Sequence, residues 1–191
     1  MEVVNTSQFQ QCYWPSIKSN SIVVIGRGRE SGTFSYQSHI PTFVINTALE
    51  FYPNPWFVVM VQAHFKELKD LSIFSNSRVL LITKKERAEL RLVAGCTPSI
   101  FISYIINLML PYSKIYLQGF SMDEVQNPSF PSPIPRSRIY DWNRQVEAFR
   151  VCHLLAEEKH IEMIIIDECK KLPFIKRGIP PGEMIDESTE I

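Results

Sequence analysis

Ser21-Ile22-Val23-Val24-Ile25-Gly26-Arg27-Gly28 is the stretch from which the fold is read. Its first five residues form a short β-branched run that stops at a glycine. That is the pattern of a strand covered on both faces, as strands of a parallel sheet are. Working outward, the same pattern recurs at 42–45 (TFVI), 56–60 (WFVVM), 78–82 (RVLLI), 114–117 (KIYL) and 161–166 (IEMIII). Two helices are predicted among the later runs. Residues 97–110 are apolar nearly all round, so this helix is buried, with Thr97 as cap and Pro98 at its first position. Residues 141–159 carry Trp142, Val146, Phe149 and Cys152 on one stripe, with Asp141 as the N-cap. Strands alternating with helices predict an α/β fold: a doubly wound, mostly parallel sheet in a Rossmann-like three-layer sandwich, whose strand order the pattern does not give.

The chain has 191 residues, 45% of them apolar and 21% charged, which suits one globular domain and excludes wholesale disorder. Its expected limits are a leading arm at 1–20, a single α/β nucleotide-binding domain at 21–177 and a flexible, Pro-rich and acidic tail at 178–191. Twenty basic residues balance twenty acidic ones, so net charge gives no reason to expect a nucleic-acid or anionic-membrane partner. The longest apolar stretch, 100–110, is far short of the roughly 20 residues of a membrane span. The start lacks a basic segment followed by an apolar core, so a cytoplasmic protein is expected. Cys12, Cys96, Cys152 and Cys169 are spread without metal spacing and read as reduced thiols.

In open α/β sheets the ligand lies beyond the carboxyl ends of the strands. The residues there are small or polar: Gly26, Arg27, Gly28 and Ser31 after the first run, Asn46 after the second, and Gly119 after the fifth. Thr97 and Ser99 stand where the buried helix begins. Gly26 and Gly28 can take positive φ and let backbone approach a ligand. Arg27 can pair with phosphate, and a helix start favours an anion. The alternatives are turn glycines, a plain helix cap at Thr97 and a turn at Asn46. The glycine pattern is neither the dinucleotide fingerprint nor a P-loop. His39, His64, His153 and His160 show no metal-binding spacing, and 127–135 (NPSFPSPIP) reads as a lid or linker.

Taken in order, these residues resemble the bacterial sialyltransferase-like glycosyltransferases and related α/β proteins of that fold. The family opens with a strand ending Gly-Asn-Gly-Pro-Ser, where this chain has Gly26-Arg27-Gly28-Arg29-Glu30-Ser31. Its second strand is followed by an Asn, here Asn46. A Thr-Ser-Gly-like turn into a hydrophobic helix is matched by Thr97-Pro98-Ser99. Its Lys-Glu-Ile-Tyr-Leu strand and the Gly-Ile/Phe-Asp that follows are matched by Lys114-Ile115-Tyr116-Leu117-Gln118-Gly119-Phe120, with Ser121 at the place of the Asp. The resemblance spans roughly 22–174 and implies a metal-independent transferase, without cofactor, that moves the sugar of a CMP-type nucleotide-sugar to a hydroxyl acceptor. It implies substrate binding by Gly26, Gly28, Ser31, Asn46, Thr97 and Ser99. The family's basic His corresponds to Tyr140, so Tyr140 and the adjacent Asp141 become the catalytic candidates. Two alternatives stay open: a nucleotide-binding protein that has lost its base, and a Mg²⁺-dependent pyrophosphokinase-like enzyme, for which Asp123, Glu124 and Asp141 are few carboxylates. The short chain would suit a phage or bacterial gene, and a homo-oligomer is compatible with all three readings.

Overall fold

The apolar runs divide their side chains between two cores with a period of two. In the computed structural model, Ile22 and Val24 face one side of a sheet while Val23 and Ile25 face the other. Phe57, Val59 and Val61 likewise oppose Val58 and Met60. Runs that look continuously hydrophobic in sequence are thus strands covered twice over. The structure describes residues 1–17, 19–28, 36–94, 97–111, 113–120, 122 and 142–182, apart from the side chains at 47, 93, 94, 97 and 142.

The strands are β1 (Glu2–Val4), β2 (Ser21–Ile25), β3 (Thr42–Ile45), β4 (Phe57–Val61), β5 (Arg78–Ile82), β6 (Lys114–Gln118), β7 (Glu162–Ile165) and β8 (Lys176–Arg177). They form one eight-stranded sheet in the order β1-β5-β4-β3-β2-β6-β7-β8. Every pairing is parallel. The helices are α1 (Thr6–Gln8), α2 (Gln62–Leu68), α3 (Lys84–Ala94), α4 (Thr97–Leu108) and α5 (Trp142–Glu158). Right-handed crossovers place connections that step in opposite directions along a sheet on opposite faces. The burial follows that rule. Phe9, Phe101, Ile102, Phe149 and Leu172 come from rightward steps and share the first face. Ile40, Ala48, Leu49, Leu68 and Phe74 come from the leftward steps β2 to β5 and share the second. The fold is therefore the expected three-layer α/β sandwich.

Both ends of the chain depart from expectation. The segment 1–20 is not a detached arm: β1 pairs with β5, and Phe9 is wholly buried against Phe57 (ring centroids 5.1 Å apart, interplanar angle 86°) and Phe43 (6.0 Å, 72°). Thr6 also ties this segment to the first-face helices. Its hydroxyl donates to the Glu86 carboxylate and lies 2.6 Å from the Tyr104 hydroxyl. Glu86 in turn accepts from the Thr83 N–H (2.8 Å), capping α3. At the other end, the Gly178 N–H donates to the Ile165 carbonyl (3.1 Å), Pro180 is buried, and Gly182 (φ 88°) lies against Ile40. Residues 178–182 are thus a strap on the second face, and only 183–191 of the expected tail lie outside the described residues.

Helix α5 ends in a Schellman turn. The Ile161 N–H donates to the Ala156 carbonyl (2.8 Å) and the His160 N–H to the Glu157 carbonyl (2.9 Å). His160 occupies the left-handed position (φ 57°) where glycine is usual. His153 instead sets its ring edge-on to Phe174. The two histidines thus carry separate structural roles.

Candidate functional site

The chain steps from β2 leftward through β3, β4 and β5, whereas β6, β7 and β8 extend to the right. The order therefore reverses between β2 and β6. Connections leave this point toward opposite faces, which opens a crevice beyond the carboxyl ends of the two strands. Two hydrogen bonds carry the β2–β6 pairing past the strands: the Gly26 N–H donates to the Gln118 carbonyl and the Gly28 N–H to the Gly119 carbonyl, both at 2.7 Å.

The geometry corrects the role expected of the glycines. Positive φ is found at Gly119 (77°), not at Gly26 or Gly28. A Cβ on Gly28 would lie 2.5 Å from the Gly119 carbonyl carbon and 2.6 Å from its oxygen. One on Gly26 would lie 2.7 Å from that same oxygen and 3.0 Å from the Phe120 ring. The glycines at these positions let two backbones meet. They make the floor of the crevice, and their bare faces are turned to β6 rather than to a ligand.

Around this floor stand polar groups from separate elements. The β2–β3 register pairs Ile25 with Val44, which sets Asn46 level with Arg27. Asn46 is left-handed (φ 51°), a conformation that Asn tolerates better than most residues. Its Oδ1 lies 3.3 Å from Nδ1 of His64, in the first turn of α2. Gln118 is fully buried, and its Oε1 accepts from the Tyr36 hydroxyl (2.6 Å). The Tyr36 N–H donates to the Tyr52 hydroxyl (3.3 Å). On the β7 side, Asp167 is 2% exposed and accepts from the Phe120 N–H, which fixes the turn that carries Gly119. Lys171 donates to the Met122 carbonyl (3.0 Å), and Met122 is also left-handed (φ 55°).

Gly26, Arg27, Gly28, Asn46 and Gly119 are thus brought together on the adjacent strand ends β3, β2 and β6. Ser99 is not exposed there. It sits in the first turn of α4 at 0% exposure, and its carbonyl accepts from the Cys152 thiol of α5 (3.4 Å). The structure thus places Ser99 at the contact of α4 with α5. Thr97 begins α4, but its side chain lies outside the description, as do Ser31, Tyr140 and Asp141 altogether. The 127–135 loop lies there too.

His64, Tyr36, Gln118 and Asp167 were not among the expected site residues. Asp167 carried a usable signal, being the first polar residue after the last long apolar run. His64 carried none, because its partner Asn46 is 18 residues away. Among the described residues, no group of three or more His, Cys, Asp or Glu could hold a metal ion. A separate hollow of about 340 Å³ lies between α1, α3, α4 and α5, lined by Thr6, Glu86, Leu90, Ser103, Tyr104 and Leu155. It belongs to the first-face helices, not to the switch point.

No protein-family model, curated protein sequence or solved structure matches the chain. The site is therefore read from its own geometry. No helix among the described residues is long and apolar enough to cross a membrane.

Proposed function

We propose that the chain binds a phosphorylated, nucleotide-type ligand across the carboxyl ends of β3, β2 and β6, and that it acts as a glycosyltransferase on a CMP-type nucleotide-sugar with a hydroxyl acceptor. The observation that carries the binding reading is the meeting of Gly26–Gly28, Asn46 and Gly119 around the reversal of strand order between β2 and β6. A parallel sheet exposes its ligand crevice at such a reversal. Arg27, half-buried on this rim, supplies a cation for the phosphate. Sugar transfer is supported by the resemblance of these segments to the sialyltransferase-like family. The reading places the protein in the cytoplasm.

Thermal unfolding with CMP, UMP, ADP and GDP, each with and without Mg²⁺, tests it. A ligand at 100 times its Kd stabilises the folded state by about 2.7 kcal/mol. For a chain of this size that is a rise in Tm of roughly 5–11 °C. The expected result is a rise with CMP that needs no Mg²⁺. A response that requires Mg²⁺ points instead to diphosphate transfer. Binding without turnover of any nucleotide-sugar leaves a binding protein, and no shift with any nucleotide refutes the reading.

A further inference from the structure

We propose that the hollow between α1, α3, α4 and α5 is a second binding site, which takes a small organic amine: an ammonium head on an apolar body. The site is distinct from the crevice at the switch point and does not depend on the nucleotide reading. Its volume of about 340 Å³ lies within the range of small-molecule sites. Its sides are mainly apolar, with Leu90 from α3, Leu108 from α4 and Leu155 from α5. Those side chains suit the body of the ligand.

The chemistry of the head follows from the direction of the hydrogen bonds. The Thr6 hydroxyl donates to Oε1 of Glu86, which uses the one hydrogen that a hydroxyl has. The Tyr104 hydroxyl, 2.6 Å from the same Thr6 oxygen, therefore donates to it. Oε2 of Glu86 accepts from both the N–H (2.8 Å) and the hydroxyl (2.6 Å) of Thr83. Every hydrogen in this chain of contacts points toward the carboxylate. The capacity left on Tyr104 and Glu86, which both line the hollow, is to accept. A ligand that meets them has to bring donors, and a primary ammonium brings three. Glu89, one turn further along α3, adds a second carboxylate to the lining, and no Lys, Arg or His is among the described residues there. Lys159 is committed at the other end: its ammonium donates to the carbonyls of Asn107 (3.3 Å) and Ile106 (3.5 Å) in the last turn of α4. The ligand head accordingly lies toward Glu86 and α1, with its body along the leucines.

The test titrates the full chain with phenethylamine and hexylamine, read by thermal shift and by the amide NMR shifts of α3, α4 and α5. Phenethyl alcohol has the same body without the charge, and methylamine has the same head without the body. The expected result is a rise in Tm with both larger amines, resonance changes centred on the hollow, and binding of each control at least ~10-fold weaker, the scale of one hydrogen bond to a charged group. Leu155→Trp, which fills the hollow, should abolish the response, and Glu89→Gln, at an exposed position, should weaken it. The second variant decides the matter if the first does not fold. The proposal is overturned if neither larger amine binds the wild type, if phenethyl alcohol binds as well as phenethylamine, or if Glu89→Gln and a folded Leu155→Trp both bind as the wild type does. Competition between the amine and CMP would also overturn it, by placing the amine in the crevice. None of the first three outcomes touches the nucleotide reading, which stands or falls on CMP alone.

Discussion

Gly28→Ala is the substitution that most directly probes the crevice floor. The added methyl carbon would sit 2.5 Å from the carbonyl carbon, 2.6 Å from the oxygen and 3.0 Å from the Cα of Gly119. All three are backbone atoms, so no side chain can swing aside. Ordinary contact begins at 3.4 Å, which requires the β2 and β6 ends to part by close to an ångström. Such overpacking costs about 1–3 kcal/mol. Separation also weakens the Gly28 N–H bond to the Gly119 carbonyl, a loss of about 1 kcal/mol. The expected destabilisation is therefore about 2–4 kcal/mol, or roughly 4–16 °C in Tm for a chain of this size. Urea unfolding of the ligand-free protein measures it, with the midpoint falling and the slope unchanged. A Gly28→Ala variant as stable as the wild type would refute the reasoning: the glycine would then serve a ligand and not the junction of the strands.

Other outcomes follow from the same structure. His160→Gly should stabilise the protein by about 1 kcal/mol, because it relieves a left-handed side chain at the end of α5; calorimetry reads the rise in Tm. Phe9→Ala should cost about 3–5 kcal/mol, the range for an aromatic removed from a core, whereas a dispensable arm would lose almost nothing in a urea titration. Partial burial opposes the charge of Glu86, but hydrogen bonds from Thr6 and Thr83 outweigh it and hold the carboxyl below its usual range. Its contribution to stability is therefore full above the ordinary carboxylate pKa and is lost as pH falls through the lower, folded-state value. Glu86→Gln should narrow the stability difference between pH 7 and pH 3, measured by urea unfolding at each pH.

The interior strands were legible because their residues are buried on both faces and so form runs that nothing else explains. The edges were not. Two of the three residues of β1 are exposed, and both residues of β8 are, so neither makes an apolar run. Phe9–Tyr13 form a π-helical turn, whose spacing suits neither a strand nor an α-helix, and the buried Phe9 had no periodic context to reveal it. Helix α2 has seven residues, too few to show a stripe, and α3 is mostly exposed, although Thr83 and Glu86 are spaced as a capping pair. In the site, the rule about strand ends located Asn46 and Gly119. Ser99 lies at the buried contact of α4 with α5, a placement that a serine at a helix start does not reveal in sequence. The Asn46–His64 contact depends on how β3 and α2 are juxtaposed, which only strand order decides.

Among the described residues, the first and last strands are the two outer borders of the sheet. Seven strand spacings separate them, so the termini of the sheet stand about 34 Å apart. Trimming to 21–177 would strip β1 from one border and the strap of residues 178–182 from the second face, exposing core on both sides.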